Sequence, residues 1–411
     1  MKESELEILG IKIKYKFKAQ KYDCDHLIIV FSGFGSSSEF TYDFDNLLHL
    51  SYANVLWIKD DFDGHCCYYL CNKMNFIIEE AVITFINNKI SELQLTNDKC
   101  SIIGFSKGGS AALYYGLKYN FKNILITVPQ TKIGSYIDKN WKIVAKHMMG
   151  ENYTSEQIEK LDSLIFNLFM LDHIKEKNIY LLTSKQDIQY NNEIVPVMDE
   201  LFKYSNMNFF LSESIFVRAH NQVTSHHAQF ILGLLFILTN NISPHMGYKI
   251  LEGKKGATIK DKTATPLVHI EFINLINNLF FIGGVALLRG IEFNNFSDVD
   301  YILRCFNVNS KNFTDLKLAK ANRPDLTKKY YNGDFVIYDK AWVTTLKHEG
   351  VKLDTLEIGI YELQLIIYAR KENIIKKVPL LFDKTLQLQS CYNNRTYNIN
   401  NSAEKIILEI N

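Results

Sequence analysis

Apolar residues in the first part of this chain fall in short continuous runs. Leu27-Ile28-Ile29-Val30-Phe31, Val55-Leu56-Trp57-Ile58, and residues 102–105, 124–128 and 179–182 are such runs, most of them closed by polar or turn-forming residues. Continuous runs of this length predict strands buried on both faces, as in a parallel sheet. One segment differs. Across 8–17 and into Lys18, Ile11, Ile13, Tyr15 and Phe17 alternate with Lys12, Lys14, Lys16 and Lys18, the period of a strand with one wet face. Between the runs the period becomes helical. Residues 72–95 carry Phe76, Ile77, Ala81, Val82, Phe85, Ile86, Ile90 and Leu93 at helical spacing, and a helix is expected at 111–119. Strands alternating with helices predict a doubly wound α/β domain.

Residues 132–175 interrupt the rhythm. They hold a helix opened by Thr154 with Gln157 three residues on, a capping-box pattern, and an apolar stripe of Leu161, Leu164, Ile165, Leu168 and Phe169. An insertion of this kind either caps an active site or only packs. The rhythm ends with an apolar helix at 229–239, and beyond Pro244 the texture changes. Residues 253–256 and 260–262 are polar and turn-like. Runs at 268–273, 278–289, 299–303, 334–337, 356–369 and 378–382 predict a smaller all-β domain of sandwich type. With 411 residues two domains are expected, 1–245 and 246–411.

Composition narrows the function classes. Lys plus Arg (46) nearly equals Asp plus Glu (45), so bulk charge does not mark a nucleic-acid binder. The seven cysteines are scattered and form no CxxC. Adjacent Cys66 and Cys67, with Cys71 nearby, suit neither a zinc pair nor a disulfide, so free thiols in a reducing compartment and no metal site are expected. Residues 1–7 are charged with no apolar signal core, and the longest apolar stretch, 230–238, is too short to span a bilayer. A soluble cytoplasmic protein is expected, compatible with peripheral contact with the inner membrane.

The candidate chemistry centres on Gly104-Phe105-Ser106-Lys107-Gly108, which follows Ser101-Ile102-Ile103 and precedes Gly109-Ser110-Ala111-Ala112. A buried strand, a tight turn and a small-residue helix form the setting of a nucleophile elbow, which predicts an α/β-hydrolase fold. A serine needs a base, and the base an orienting carboxylate, here in the order Ser, acid, His. Asp187 follows the run at 179–182. His220 follows the strand-like Ile215-Phe216-Val217 and is the expected base, with His226 and His227 as rivals. Asp162 and Asp172 sit in the helical insertion. Asp60, Asp61, Asp63 and His65 follow an earlier strand, where an acidic loop either meets substrate or is merely solvated. The oxyanion donors should be the backbone N–H of Lys107 and that of Phe34, in the loop 32–38. Gly33 and Gly35 let this loop turn inward and are expected to line the substrate. The Lys107 side chain either avoids substrate or attracts an anionic one. A nucleotide loop is the competing reading of Gly33-Phe34-Gly35, but a third glycine and a Gly-Lys-Ser/Thr ending are both missing.

Residues 27–35 and 104–115, ending Ala111-Ala112-Leu113-Tyr114-Tyr115, resemble bacterial capsule-locus α/β-hydrolase proteins, which include capsular polysaccharide O-acetyltransferases. They are also similar to the acyltransferase-like component of the accessory secretion system for glycosylated adhesins. The resemblance covers roughly 27–238 and implies catalytic roles for Ser106, Asp187 and His220. It further implies oxyanion roles for Phe34 and Lys107. The implied reaction is ping-pong transfer of acetyl from acetyl-CoA, a co-substrate rather than a bound cofactor, to a sugar hydroxyl of a capsular or surface polysaccharide. Capsule-assembly proteins are candidate partners. Gly284 to Ile291 and Phe296-Ser297-Asp298-Val299 resemble accessory β-sandwich modules of cell-surface polysaccharide proteins. Two rivals stay open: a glycan acyl esterase with the same three residues, and a noncatalytic scaffold that reuses the fold.

Overall fold

The computed structural model describes residues 2–35, 40–251, 262–402 and 405–411. It divides into two compact units, 1–254 and 255–411. The turn-like segment expected at 253–256 and all but Lys262 of that expected at 260–262 lie outside the described residues, as do Ser36, Ser37 and Ser38.

The first unit is an α/β-hydrolase fold. Its elements in chain order are β1 (Ser4–Ile8), β2 (Ile11–Lys18), β3 (Leu27–Phe31), α1 (Asp45–Leu48), β4 (Asn54–Ile58), α2 (Ile77–Glu92), β5 (Cys100–Phe105), α3 (Lys107–Lys118) and β6 (Asn123–Thr127). Then come α4 (Ile133–Asn140), α5 (Lys142–Met149), α6 (Ser155–Leu171), β7 (Asn178–Ser184), α7 (Met198–Leu201), β8 (Asn206–Ser212), α8 (His220–His226), α9 (Ala228–Thr239) and β9 (Tyr248–Leu251). The nine strands form one sheet in the order β1-β2-β4-β3-β5-β6-β7-β8-β9. The pairs β1/β2 and β2/β4 are antiparallel and those from β4/β3 to β8/β9 parallel.

The continuous apolar runs are buried on both faces. Ile29 and Phe31 of β3 join a core with α2 through α6, while Ile28 and Val30 join a second core with α9. Connections leave β3 toward β4 on one side and β5 toward β6 on the other. The carboxyl ends of β3 and β5 therefore flank the point where strand order reverses, the crevice in which such sheets carry their sites.

The structure departs from expectation in several places. Ile215–Val217 is not a strand: β8 is Asn206–Ser212, and 215–217 forms a turn before α8. Residues 334–337 form no strand either. The helix expected from 72 begins at Ile77, because Asn72 and Asn75 close a small turn. The first unit also runs past residue 245, since β9 adds to its sheet edge beside β8. In the insertion, the Thr154 N–H donates to Gln157 Oε1 (2.9 Å) at the start of α6, and Leu161, Ile165 and Phe169 pack inward.

The second unit is all-β in its sheets: β10 (Pro266–Ile276), β11 (Leu279–Leu288), β12 (Val299–Asn307), β13 (Phe313–Lys317), β14 (Ala319–Ala321), β15 (Trp342–Thr344), β16 (Val351–Lys352), β17 (Gly359–Ala369), β18 (Ile374–Pro379), β19 (Gln387–Tyr392), β20 (Arg395–Ser402) and β21 (Lys405–Ile410). A five-stranded sheet holds β10, β11, β14, β15 and β16, and a seven-stranded sheet holds the rest. Both contribute to one core, in which Phe280 and Ile282 join Leu303, Leu365 and Ile399. The Tyr301 hydroxyl of one sheet donates to Ala286 O of the other (2.6 Å). Among the described residues no helix is long and apolar enough to cross a membrane.

A buried histidine gives this fold a pH dependence. His26, just before β3, is fully buried with Nε2 2.9 Å from Ser101 Oγ. Burial pushes its imidazole down to about 4, against ~6.5 when exposed. As pH falls, the unfolded chain takes up this proton first. The stabilisation is complete above about pH 6.5 and is lost as pH falls toward 4. Urea denaturation should show about 2 kcal/mol less loss between pH 7 and 5 for His26→Gln than for the wild type. Equal losses would remove His26 as the responsible group.

Candidate active site

Ser106 sits between β5 and α3 with φ 53° and ψ −122°, a conformation that non-glycine residues avoid. Its neighbours hold it there. The Ser106 N–H donates to Thr127 O in β6 (2.9 Å), and Ser106 O accepts from the Ser110 N–H (2.9 Å). The flanking glycines are required by space. A Cβ on Gly104 would lie 2.0 Å from Gly108 O, and one on Gly108 would lie 2.2 Å from Phe31 O. The turn therefore packs backbone on backbone and lifts the serine side chain to the carboxyl end of the sheet.

Three candidate residues meet here. His220 Nδ1 lies 2.8 Å from Asp187 Oδ2, and His220 Nε2 lies 2.8 Å from Ser106 Oγ. Asp187 is buried in the turn after β7, and its Oδ1 accepts the Gln189 N–H (2.9 Å). With its Nδ1–H on the carboxylate, His220 presents Nε2 as the acceptor for the serine proton. His220 is the first residue of α8 rather than the end of a strand. The rivals have other contacts. His227 Nδ1 lies 2.8 Å from Val223 O and its Nε2 3.2 Å from Ser212 Oγ, and the His226 ring lies against Phe216.

The expected oxyanion donors are backbone groups of the loop after β3 and of the start of α3. Among the described residues neither the Phe34 N–H nor the Lys107 N–H has a hydrogen-bond partner. The loop after β3 is pinned against the elbow, where a Cβ on Gly33 would lie 3.2 Å from Phe105 O. The Gly33 N–H donates to Asp43 Oδ2 (2.6 Å) and so shapes the loop from within. Gly35 is half-buried at the end of its described part.

Of the two readings of the Lys107 side chain, attraction of an anionic substrate does not fit its buried ion pair. Lys107 is fully buried, and its Nζ lies 2.5 Å from Asp60 Oδ2. Burial by itself would push the ammonium down, but the Asp60 carboxylate holds it above its ordinary value. Asp60 is likewise not a solvated loop residue. Its carboxylate also accepts the N–H groups of Cys67 (3.0 Å), Tyr68 (3.0 Å) and Tyr69 (3.3 Å). Asp61 pairs with Lys14 (2.6 Å), Asp172 with Lys177 (2.7 Å), and Asp162 accepts the Ser135 N–H (2.8 Å). His65 stacks on His147.

Three residues outside the sequence motifs reach the site. Gln130, just past β6, is fully buried and its Nε2 donates to Ser106 Oγ (2.8 Å). Tyr68 donates from its hydroxyl to Gln130 Oε1 (2.8 Å), and its ring packs edge-on to Phe34. Trp141, between α4 and α5, stacks on Phe34 with centroids 4.3 Å apart. The insertion thus reaches Phe34 through Trp141, while α4, α5 and α6 all pack into the core. A cavity of about 370 Å³ opens beside the Asp187 turn, lined in part by Gln189, Tyr136, Lys132 and Lys139.

No family model matches this chain, and no curated protein matches it. Solved structures of similar fold include the capsule O-acetyltransferase of Neisseria meningitidis serogroup A, at 21% identity and a TM-score of 0.47, covering 57% of this chain and 97% of that one. Another is the glycosylation-associated Gap123 complex from Streptococcus agalactiae, at 17% identity and a TM-score of 0.47, covering 58% of this chain and 46% of that one. A third is FphF, a fluorophosphonate-binding serine hydrolase of Staphylococcus aureus, at 14% identity and a TM-score of 0.42, covering 56% of this chain and 97% of that one.

The buried Lys107 and Asp60 pair carries a prediction. Asp60→Asn strands a buried ammonium and should cost about 3–5 kcal/mol in urea denaturation. Lys107→Met leaves the carboxylate its three backbone donors and should cost less. The opposite ranking would show that the carboxylate, not the ammonium, is the harder charge to leave alone.

Proposed function

We propose that this chain is a serine-dependent acyltransferase that moves acetyl from acetyl-CoA to a sugar hydroxyl of a capsular or surface polysaccharide. The observation that carries the reading is the hydrogen-bonded line from Asp187 through His220 to Ser106, set beside two backbone N–H groups that have no partner among the described residues. His220 takes the Ser106 proton as Oγ attacks the thioester carbonyl. The carbonyl oxygen gains the π pair, and the N–H groups of Phe34 and Lys107 receive it. Collapse expels the thiolate, which takes the proton from His220 and leaves acetyl on Ser106. A sugar hydroxyl then gives its proton to His220 and attacks the ester, and Oγ leaves with that proton.

Transfer must outrun hydrolysis, which needs a site poor in water. Ser106 is only 5% exposed, and Trp141 leans on the oxyanion loop. Lys132 and Lys139 at the rim of the adjoining cavity suit the phosphates of the donor. In this reading the protein works in the cytoplasm with capsule-assembly proteins as partners, and the unit 255–411 is an accessory module.

Incubation with acetyl-CoA followed by intact-mass measurement tests this. The wild type should gain one acetyl group, and Ser106→Ala none. Absence of both adduct and CoA release, with acetylated glycan hydrolysed, would contradict the transferase and favour an esterase.

A further inference from the structure

We infer that Gln130 is a catalytic residue whose side-chain amide stabilises the negative charge on Ser106 Oγ as that oxygen attacks and as it leaves. The inference rests on the reading of Ser106 as the nucleophile, and it concerns an atom that the oxyanion hole does not touch.

The hydroxyl oxygen of Ser106 has one proton and two lone pairs. The proton faces His220 Nε2, and a lone pair accepts from Gln130 Nε2 (2.8 Å). The amide is held at both ends. Its oxygen accepts from the Tyr68 hydroxyl (2.8 Å), and its nitrogen also donates to Gln189 Oε1 (3.2 Å). The backbone aims it as well: the Gln130 N–H donates to Ser110 Oγ (2.8 Å), and Val128 holds φ 41°. A β-branched residue there is strained, and strain of this kind collects where a side chain must be placed.

The chemistry follows from how hydrogen bonds respond to charge. A donor binds a neutral hydroxyl modestly and a charged oxygen more strongly. As His220 removes the proton and Oγ closes on the carbonyl carbon, the oxygen gathers charge before its lone pair becomes the new bond. In the acyl-enzyme it is an ester oxygen and a poor acceptor. When the acceptor hydroxyl displaces it, charge returns to Oγ until His220 hands back the proton. The Gln130 bond is therefore strongest near both transition states, which is the condition for lowering a barrier. Tyr68 and Gln189 are positioning residues for this amide.

The test measures the rate at which a fluorophosphonate labels the full chain. Ser106→Ala should not label at all. Gln130→Met, similar in length but without a donor, should label about tenfold more slowly with an unchanged melting temperature. Its loss on p-nitrophenyl acetate should fall in kcat with KM unchanged. Tyr68→Phe, which keeps Gln130 but frees its oxygen, should slow labelling by about two- to threefold. Should Gln130→Met melt early, Tyr68→Phe decides, and a wild-type rate there overturns the proposal. Wild-type labelling of a stable Gln130→Met protein, with Ser106→Ala unlabelled, overturns the role of Gln130 and leaves the nucleophile standing. Equal labelling of wild type and Ser106→Ala overturns the nucleophile itself.

Discussion

Backbone contact between Gly104, Gly108 and Phe31 is the constraint on which the site depends. The first residues of α3 lie so close to the ends of β3 and β5 that a single Cβ would meet a carbonyl oxygen at 2.0–2.2 Å. That closeness forces Ser106 into a conformation that serine avoids, and the hydrogen bonds to Thr127 and from Ser110 keep it there. It also brings the loop after β3 beside the start of α3, so the Phe34 and Lys107 N–H groups belong to one small region. A looser turn would lower the strain and lose this convergence.

Around the turn lies a buried polar scaffold. Lys107, the first residue of α3, pairs with Asp60, and Asp60 gathers the backbone of Cys67, Tyr68 and Tyr69. Tyr69 accepts the Ser32 N–H at the root of the loop after β3 (2.8 Å), while Tyr68 reaches Gln130. Ion pairs this deep contribute little net stability, because desolvation consumes most of the attraction. Their evident product here is orientation. One carboxylate sets the loop that positions both the segment after β3 and the amide beside Ser106.

Much of this was legible in the sequence where the signal was local. The runs at 27–31 and 55–58 read as buried strands because both faces of the sheet are covered. Gly104 and Gly108 around Ser106 read as an elbow because only glycine fits there. Asp187 and His220 were legible by their place in chain order, even though His220 begins a helix. Ile215-Phe216-Val217 misled as a strand because a short β-branched run has the same composition in a turn. The strand β8 hid behind Asn206 and Asn208, polar residues that tie β8 to Asn178 and Ile179 of β7 and to the segment before β9. The buried pair of Asp60 and Lys107 was not legible, since nothing in a 47-residue separation announces that they are partners. Gln130 was invisible for the same reason: Tyr68, Ser106 and Gln189 reach it from three distant segments.

A crystal structure of the protein after reaction with a phosphonate ester would place the reacting oxygen and its surroundings directly. The expected result is phosphorus bonded to Ser106 Oγ, its phosphonyl oxygen accepting from the N–H groups of Phe34 and Lys107, and His220 still held by Asp187. Phosphorus on another residue, or a phosphonyl oxygen beyond reach of both donors, would contradict it.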